Sequence, residues 1–254
     1  MPQKDFLALL TRLFLGYLFL SAGLCKLTDG HFGQLMGPPG FIKMLEPHGL
    51  GGFGVFVAVT QVITGALVLS QRYSLLGLVA LVPMNLSMLA VTISQNWQGT
   101  PYVDAVFTLM NGLVLLYEWN TLKVFVLPDA ERQPLPPRTN QFFPNFPLAL
   151  GVVGAAAVAS AVARFDATLT LFPAVACFLL TYANVLTFRS FTVLDKTIVL
   201  LSLLAILSIT FGHQLKGFRI NPMLVFAVMC LLIVGLLGLR QVGFFRRKIA
   251  AHRP

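Results

Sequence analysis

Residues 51–70, 73–94, 167–187 and 221–239 contain no Asp, Glu, Lys or Arg. A helix needs about 20 predominantly apolar residues to cross the hydrocarbon of a bilayer. Such runs are apolar all round and do not alternate, so they read as membrane helices rather than as strands of a barrel. Composition points the same way. Hydrophobic residues make up 57% of the 254 and charged residues 11%, against roughly 45–50% and 25% in ordinary globular chains. Mean hydropathy is +0.81. Such a chain cannot cover a water-facing surface with polar groups, which excludes a soluble enzyme, a nucleic-acid-binding domain and a disordered tail. The net charge of +9 then reflects basic loops of a membrane protein, not a nucleic-acid partner.

Eight spans are expected, at 6–25, 51–70, 73–94, 102–118, 147–164, 167–187, 194–212 and 221–240. An even number puts both termini on one side. With the N-terminus inside, Lys26, Lys43, Arg164, Lys216 and Arg219 face outward, and the other 13 of the 18 basic residues face inward. The positive-inside rule therefore predicts cytoplasmic termini. The tail Phe244-Phe245-Arg246-Arg247-Lys248 suits the inner leaflet. Pro128, Pro134, Pro136, Pro137, Pro144 and Pro147 make 128–147 an extended connector. The expected fold is an all-α integral membrane protein built as two four-helix halves, 1–127 and 148–254, joined by a cytoplasmic linker. In the outer loop 26–50, Gly37-Pro38-Pro39-Gly40 reads as a turn and 41–45 as a short interfacial helix. The apolar run 6–24 is too long for the core of a cleavable signal, so it reads as a span.

Several chemistries are excluded by position. The four histidines, His31, His48, His213 and His252, fall in loops or at span ends, so a buried haem has no axial ligand. No mid-membrane lysine offers a Schiff base. Cys25, Cys177 and Cys230 are too dispersed for a dithiol or zinc motif, and no metal site is expected.

Polar groups inside lipid carry more information, because each needs a partner. Gln61, Asn85 and Asn111 sit near the middle of spans two, three and four, which predicts a shared hydrogen-bonded layer. Asp104 and Thr108 share the face of Asn111 at helical spacing, giving a polar stripe from the outer surface to the midplane. These five residues are the candidate binding site, either as inter-helix ties or as the lining of a small polar ligand site. Asp104 is expected to cap the start of span four, with proton entry as its alternative role. Arg12 and Lys26 bracket span one and are expected to snorkel to the interfaces. Gly151, Ala155, Ala159 and Ala163 form a packing seam on span five.

The run Arg12-Leu-Phe-Leu-Gly16-Tyr-Leu-Phe-Leu-Ser-Ala-Gly23-Leu-Cys-Lys26-Leu resembles the opening helix of the DoxX family of four-helix bacterial membrane proteins. Gln61-Val-Ile-Thr-Gly65 resembles that family's second-helix motif, which often carries glutamate where this chain has Gln61. The resemblance covers about residues 6–119, with Arg12, Gly16, Gly23, Lys26 and Gly65 as motif positions. It implies a bacterial inner-membrane protein, some of whose relatives are similar to subunits of a thiosulfate:quinone oxidoreductase. Two functions follow as expectations. One is a non-catalytic subunit or scaffold of a redox-linked membrane complex, with lipids and other membrane proteins as partners. The other is a quinone-linked oxidoreductase or its anchor, with quinone as the one candidate cofactor, held by the amide layer while Asp104 takes up protons. A small-solute transporter is a third reading, disfavoured by the absence of a repeat and of paired broken helices.

Overall fold

The computed structural model describes residues 1–127, 137, 143 and 145–250, with the side chains of Val126 and of 243–250 outside the described set. Most of the proline-rich connector, and the side chains of the basic tail, therefore lie outside the described residues. Among those described, every regular element is helical. The helices are α1 (Gln3–Leu27), α2 (Phe41–Leu45), α3 (Gly51–Leu69), α4 (Ser74–Ser94), α5 (Thr100–Tyr117), α6 (Trp119–Val126), α7 (Phe146–Val162), α8 (Ala167–Leu186), α9 (Val193–Thr210), α10 (Gly212–Gly217) and α11 (Pro222–Ala250). A 3₁₀ turn, Glu46–His48, follows α2.

A helix occupies each of the eight expected ranges. Six are long and apolar enough to cross a membrane: α1, α3, α4, α8, α9 and α11. The protein is therefore a multi-pass membrane protein by the length and composition of its helices. Of the other two, α5 carries Asp104 and Asn111 within its 18 residues, and α7 has 17. Helix α4 runs through Pro83 as one element. The short helix expected at 41–45 is present as α2. Helices α6 and α10 were not expected.

Helix boundaries follow local chemistry. Asp166 Oδ1 accepts from the Thr168 and Leu169 amides and starts α8. Thr192 and Asp195 form a reciprocal capping box at α9, and Asn145 Oδ1 accepts from Leu148 N at α7. Each satisfies amides that the first helical turn leaves without partners.

Helix α1 is the central element: 78% of its apolar window is buried, against 6% for α11. Lipid tails are as apolar as leucine, so close packing rather than water exclusion must hold such helices together. The α1–α3 crossing supplies it through glycine. A β-carbon on Gly23 would stand 2.5 Å from Ala58 O, and one on Gly65 would stand 2.5 Å from Leu20 N and 2.7 Å from Gly16 O. Gly16, Gly23 and Gly65 thus let two backbones approach. A hydrophobic cluster runs from Phe6 and Tyr17 of α1 through Val62 of α3 to Ala156, Phe178 and Ile206 of α7, α8 and α9. A second joins Leu15 and Phe19 to Val68, Leu78, Leu81 and Val114. The buried face of α7 runs along Ala149, Val152, Ala156 and Ala159; of the expected seam Ala159 and Ala163 are buried, while Gly151 and Ala155 are half-buried.

Charged residues within the helices are tied across the bundle. Arg240 Nε donates to Asp195 Oδ1 at 2.6 Å and Nη2 to Met1 O at 2.7 Å; Nη1 also binds Gln3. The guanidinium carbon lies 4.5 Å from the Phe6 ring centroid. The start of α1, the start of α9 and residue 240 of α11 therefore meet at one end of the molecule. At the other end His213 Nε2 bonds Gly30 O at 3.1 Å.

Candidate functional site

The expected amide layer does not form. Gln61 donates from Nε2 to Met88 Sδ at 3.4 Å. Asn111 donates from Nδ2 to Leu78 O at 3.1 Å. None of the three amides bonds another among the described residues, and Gln61 Oε1, Asn85 Nδ2 and Asn111 Oδ1 are buried without a hydrogen-bond partner. Similar depth along neighbouring helices does not set azimuth, and these side chains turn toward different neighbours.

Asp104 is not a cap either. Helix α5 starts at Thr100 after Gly99, without a side-chain cap, so Asp104 lies beyond the amides left free in the first turn. Its Oδ2 instead accepts from Thr92 Oγ1 at 3.1 Å, joining α5 to α4. Thr108 donates to the Asp104 carbonyl at 2.8 Å, an i−4 bond within its own helix. Asp104 and Asn111 thus share the face of α5 turned to α4, one on the Thr92 hydroxyl and the other on the Leu78 carbonyl, while Thr108 returns to its own helix.

The two brackets of α1 are also corrected. Arg12 does not snorkel; it is fully buried, with Nη2 2.6 Å from Glu118 Oε1. Glu118 closes α5 and was not singled out from sequence. A basic residue in the first half of span one and an acidic residue ending span four, on the same side if spans alternate in direction, were the available signal. Lys26 is 5% exposed; its Nζ donates to Ala22 O at 3.2 Å and lies 5.9 Å from the Phe41 ring centroid.

What the fold assembles is a pocket at the Lys26 end of α1, among α1, α3, α4 and α5, closed by the loop before α2 and the first residue of α2. Its volume is about 170 Å³. Apolar side chains such as Phe19, Met88 and Phe107 make most of the wall. Lys26, Gln61, Thr92 and Asp104 supply polar groups, and Gly37, Pro38 and Phe41 cover it from the loop. Gly37 has φ +120°, a conformation that favours glycine. A β-carbon there would stand 3.2 Å from Lys26 Nζ. The loop is fastened outside by Lys43 Nζ on Asp29 Oδ2 at 2.6 Å; this contact holds the exposed Lys43 above the ordinary lysine range. Of the five candidate residues, Gln61 and Asp104 line this pocket, while Thr108, Asn85 and Asn111 do not.

Three free cysteines are present, Cys25 and Cys177 buried and Cys230 half-buried. No group of three or more His, Cys, Asp or Glu that could hold a metal occurs among the described residues. Comparison with models of known families, with curated proteins and with solved structures finds no match for this chain.

Proposed function

We propose that this chain is an eight-span inner-membrane subunit of a bacterial membrane complex, with both termini cytoplasmic, whose pocket holds a small lipid-soluble molecule. The pocket carries the reading. It is apolar enough to take a molecule from the bilayer, and Lys26, Gln61, Thr92 and Asp104 place a few polar residues in its wall. A ligand pocket of this type is mostly apolar with a few placed polar groups. Its volume compares with engineered cavities of about 150 Å³ that accept one benzene ring.

Two supports bear on the frame. The meeting of Met1 with Arg240 agrees with an even number of crossings, and the basic residues concentrate on the side assigned inward. The ion pairs Arg12–Glu118 and Asp195–Arg240 tie helices together, which suits a subunit that holds geometry rather than one that rocks between states. The DoxX-like opening fits a redox-linked complex, and a ring-sized pocket favours a quinone-linked role as the second reading.

The test is extraction of lipid-soluble compounds from protein purified out of native membranes, analysed by mass spectrometry and by redox-dependent absorbance. Ala22 lines the pocket, and Ala22→Phe should fill it. A compound present with the native protein and lost in a folded Ala22→Phe supports the reading. Equal recovery from both sinks it. A redox-active spectrum in the extract selects the quinone-linked role.

A further inference from the structure

Lys26 stands at the end of α1, where a long side chain ordinarily reaches water. Here the loop carrying Gly37 and the first residue of α2, Phe41, enclose it, and it is the one buried lysine among the described residues. A β-carbon on Gly37 would stand 3.2 Å from Nζ, and the Phe41 ring centroid lies 5.9 Å from it. Both residues line the pocket, as does Lys26 itself, so the amine sits under the pocket's cover. Its one hydrogen bond goes to Ala22 O at 3.2 Å, and it makes no ion pair among the described residues. Asp104, the one acid that lines the pocket, is taken by Thr92 at the α4–α5 contact. Lys26 is thus a primary amine withdrawn from water, with no carboxylate against it, at the edge of a mostly apolar cavity. Desolvation in an apolar pocket activates a lysine amine toward carbonyl carbon. The ionisable residues lining the pocket are one cation and one anion, Lys26 and Asp104. They are formally balanced, which favours an uncharged guest in a low-dielectric site.

Resting on the reading of this pocket as a ligand site, we propose that Lys26 takes an uncharged aliphatic aldehyde from the bilayer and holds it covalently, as an imine. The free amine attacks the carbonyl carbon, and a proton passes from nitrogen to the carbonyl oxygen, giving a carbinolamine. The hydroxyl then leaves as water with the second proton of the nitrogen, and the C=N bond forms. Nothing is oxidised or reduced, and hydrolysis reverses the step. Once protonated, the imine carries the same single positive charge as the ammonium it replaces, so the formal balance with Asp104 is kept. The volume of about 170 Å³ takes a chain of about six carbons, which lies among Phe19, Met88 and Phe107. The apolar wall disfavours a strongly hydrated aldehyde, since its hydroxyl groups would be buried without partners.

The test incubates the full-length protein at neutral pH with hexanal and sodium cyanoborohydride, which reduces an imine to a stable secondary amine. Peptide mass spectrometry then reads the hexyl group on each lysine, with the exposed Lys216 as internal reference. Lys26 should be labelled about tenfold faster than Lys216. That preference should vanish with glycolaldehyde, and in Ala22→Phe, which fills the pocket. If Ala22→Phe does not fold, the comparison of Lys26 with Lys216 in the unaltered protein carries the test. Labelling of Lys26 no faster than that of Lys216 overturns the imine, and a preference that persists with glycolaldehyde overturns the apolar guest. Hexan-1-ol, which has the chain without the electrophile, separates this failure from that of the pocket. Trp97 lines the pocket, so its fluorescence reports entry in protein in which Trp119→Phe removes the other tryptophan. A response to hexan-1-ol without labelling of Lys26 overturns the imine and leaves the pocket standing as a ligand site. No labelling and no response at millimolar concentration overturn both.

Discussion

Arg12 Nη2 lies 2.6 Å from Glu118 Oε1, and the two side chains, 106 residues apart, are 0% and 1% exposed. The contact fixes the N-terminal half of α1 to the end of α5. Two charges withdrawn from water attract strongly only if they remain paired. Arg12 Nε and Nη1 find no hydrogen-bond partner among the described residues, where Glu118 supplies the one hydrogen bond that offsets guanidinium burial. Arg12→Met should therefore destabilise by about 3–5 kcal/mol, because it removes the cation that balances the buried Glu118 carboxylate. The double variant Arg12→Met/Glu118→Met should recover most of that loss. Thermal unfolding of the four proteins in one detergent closes the cycle. A double variant less stable than either single one would show that the pair contributes more than mutual neutralisation.

The α1–α3 crossing makes a separate claim. Since a β-carbon on Gly65 would press on Leu20 N at 2.5 Å and on Gly16 O at 2.7 Å, Gly65→Ala must push two backbones apart. Overpacking of this kind costs about 1–3 kcal/mol. Gly112, whose β-carbon would meet nothing within 4 Å, is the control; Gly112→Ala should be neutral or slightly stabilising. Equal melting temperatures for the two variants would remove the close crossing.

These contacts show which parts of the molecule were legible in the sequence. Helix placement was, because a run such as 73–94 has one physical solution in lipid, and its length sets the element. Gly16, Gly23 and Gly65 stand in the sequence only as motif positions, and that they bring the backbones of α1 and α3 together was not legible, because a close crossing depends on the partner helix. The pairing of polar groups was not legible either. Depth along a helix follows from residue count, and it placed Gln61, Asn85 and Asn111 near one level. Azimuth depends on helix packing angles, which no single span encodes, and Gln61 turned to Met88 while Asn111 turned to Leu78 O. Arg12 and Lys26 misled for a related reason: residues near the ends of a span snorkel by default, unless a partner such as Glu118 or a covering loop such as 36–41 encloses them.

Topology can be checked without a ligand. If α1 through α11 make eight crossings with both termini inside, reporter fusions at Ser70 and at Trp97 should give opposite signals. A protease site placed at Pro136 should be cut from the cytoplasmic face alone. Matching signals from Ser70 and Trp97 would break the assigned direction of α4.

Asn184 offers a test of a different kind. It is 1% exposed on α8, and neither its Oδ1 nor its Nδ2 finds a hydrogen-bond partner among the described residues. A buried carboxamide without partners carries its full desolvation cost, about 1–3 kcal/mol. Neighbouring Thr181 shows the contrast, since its hydroxyl returns to Cys177 O at 2.9 Å. Asn184→Leu removes the unpaired groups and keeps nearly the same volume, so it should raise the unfolding midpoint. Asn184→Ala also removes the amide but leaves a cavity, and the cavity term opposes the gain. The expected order of stability is therefore Leu above Asn, with Ala below Leu. If Asn184→Leu instead lowers the midpoint by several degrees, the amide has a partner in the membrane-embedded protein, and α8 carries a polar contact that the isolated chain does not make.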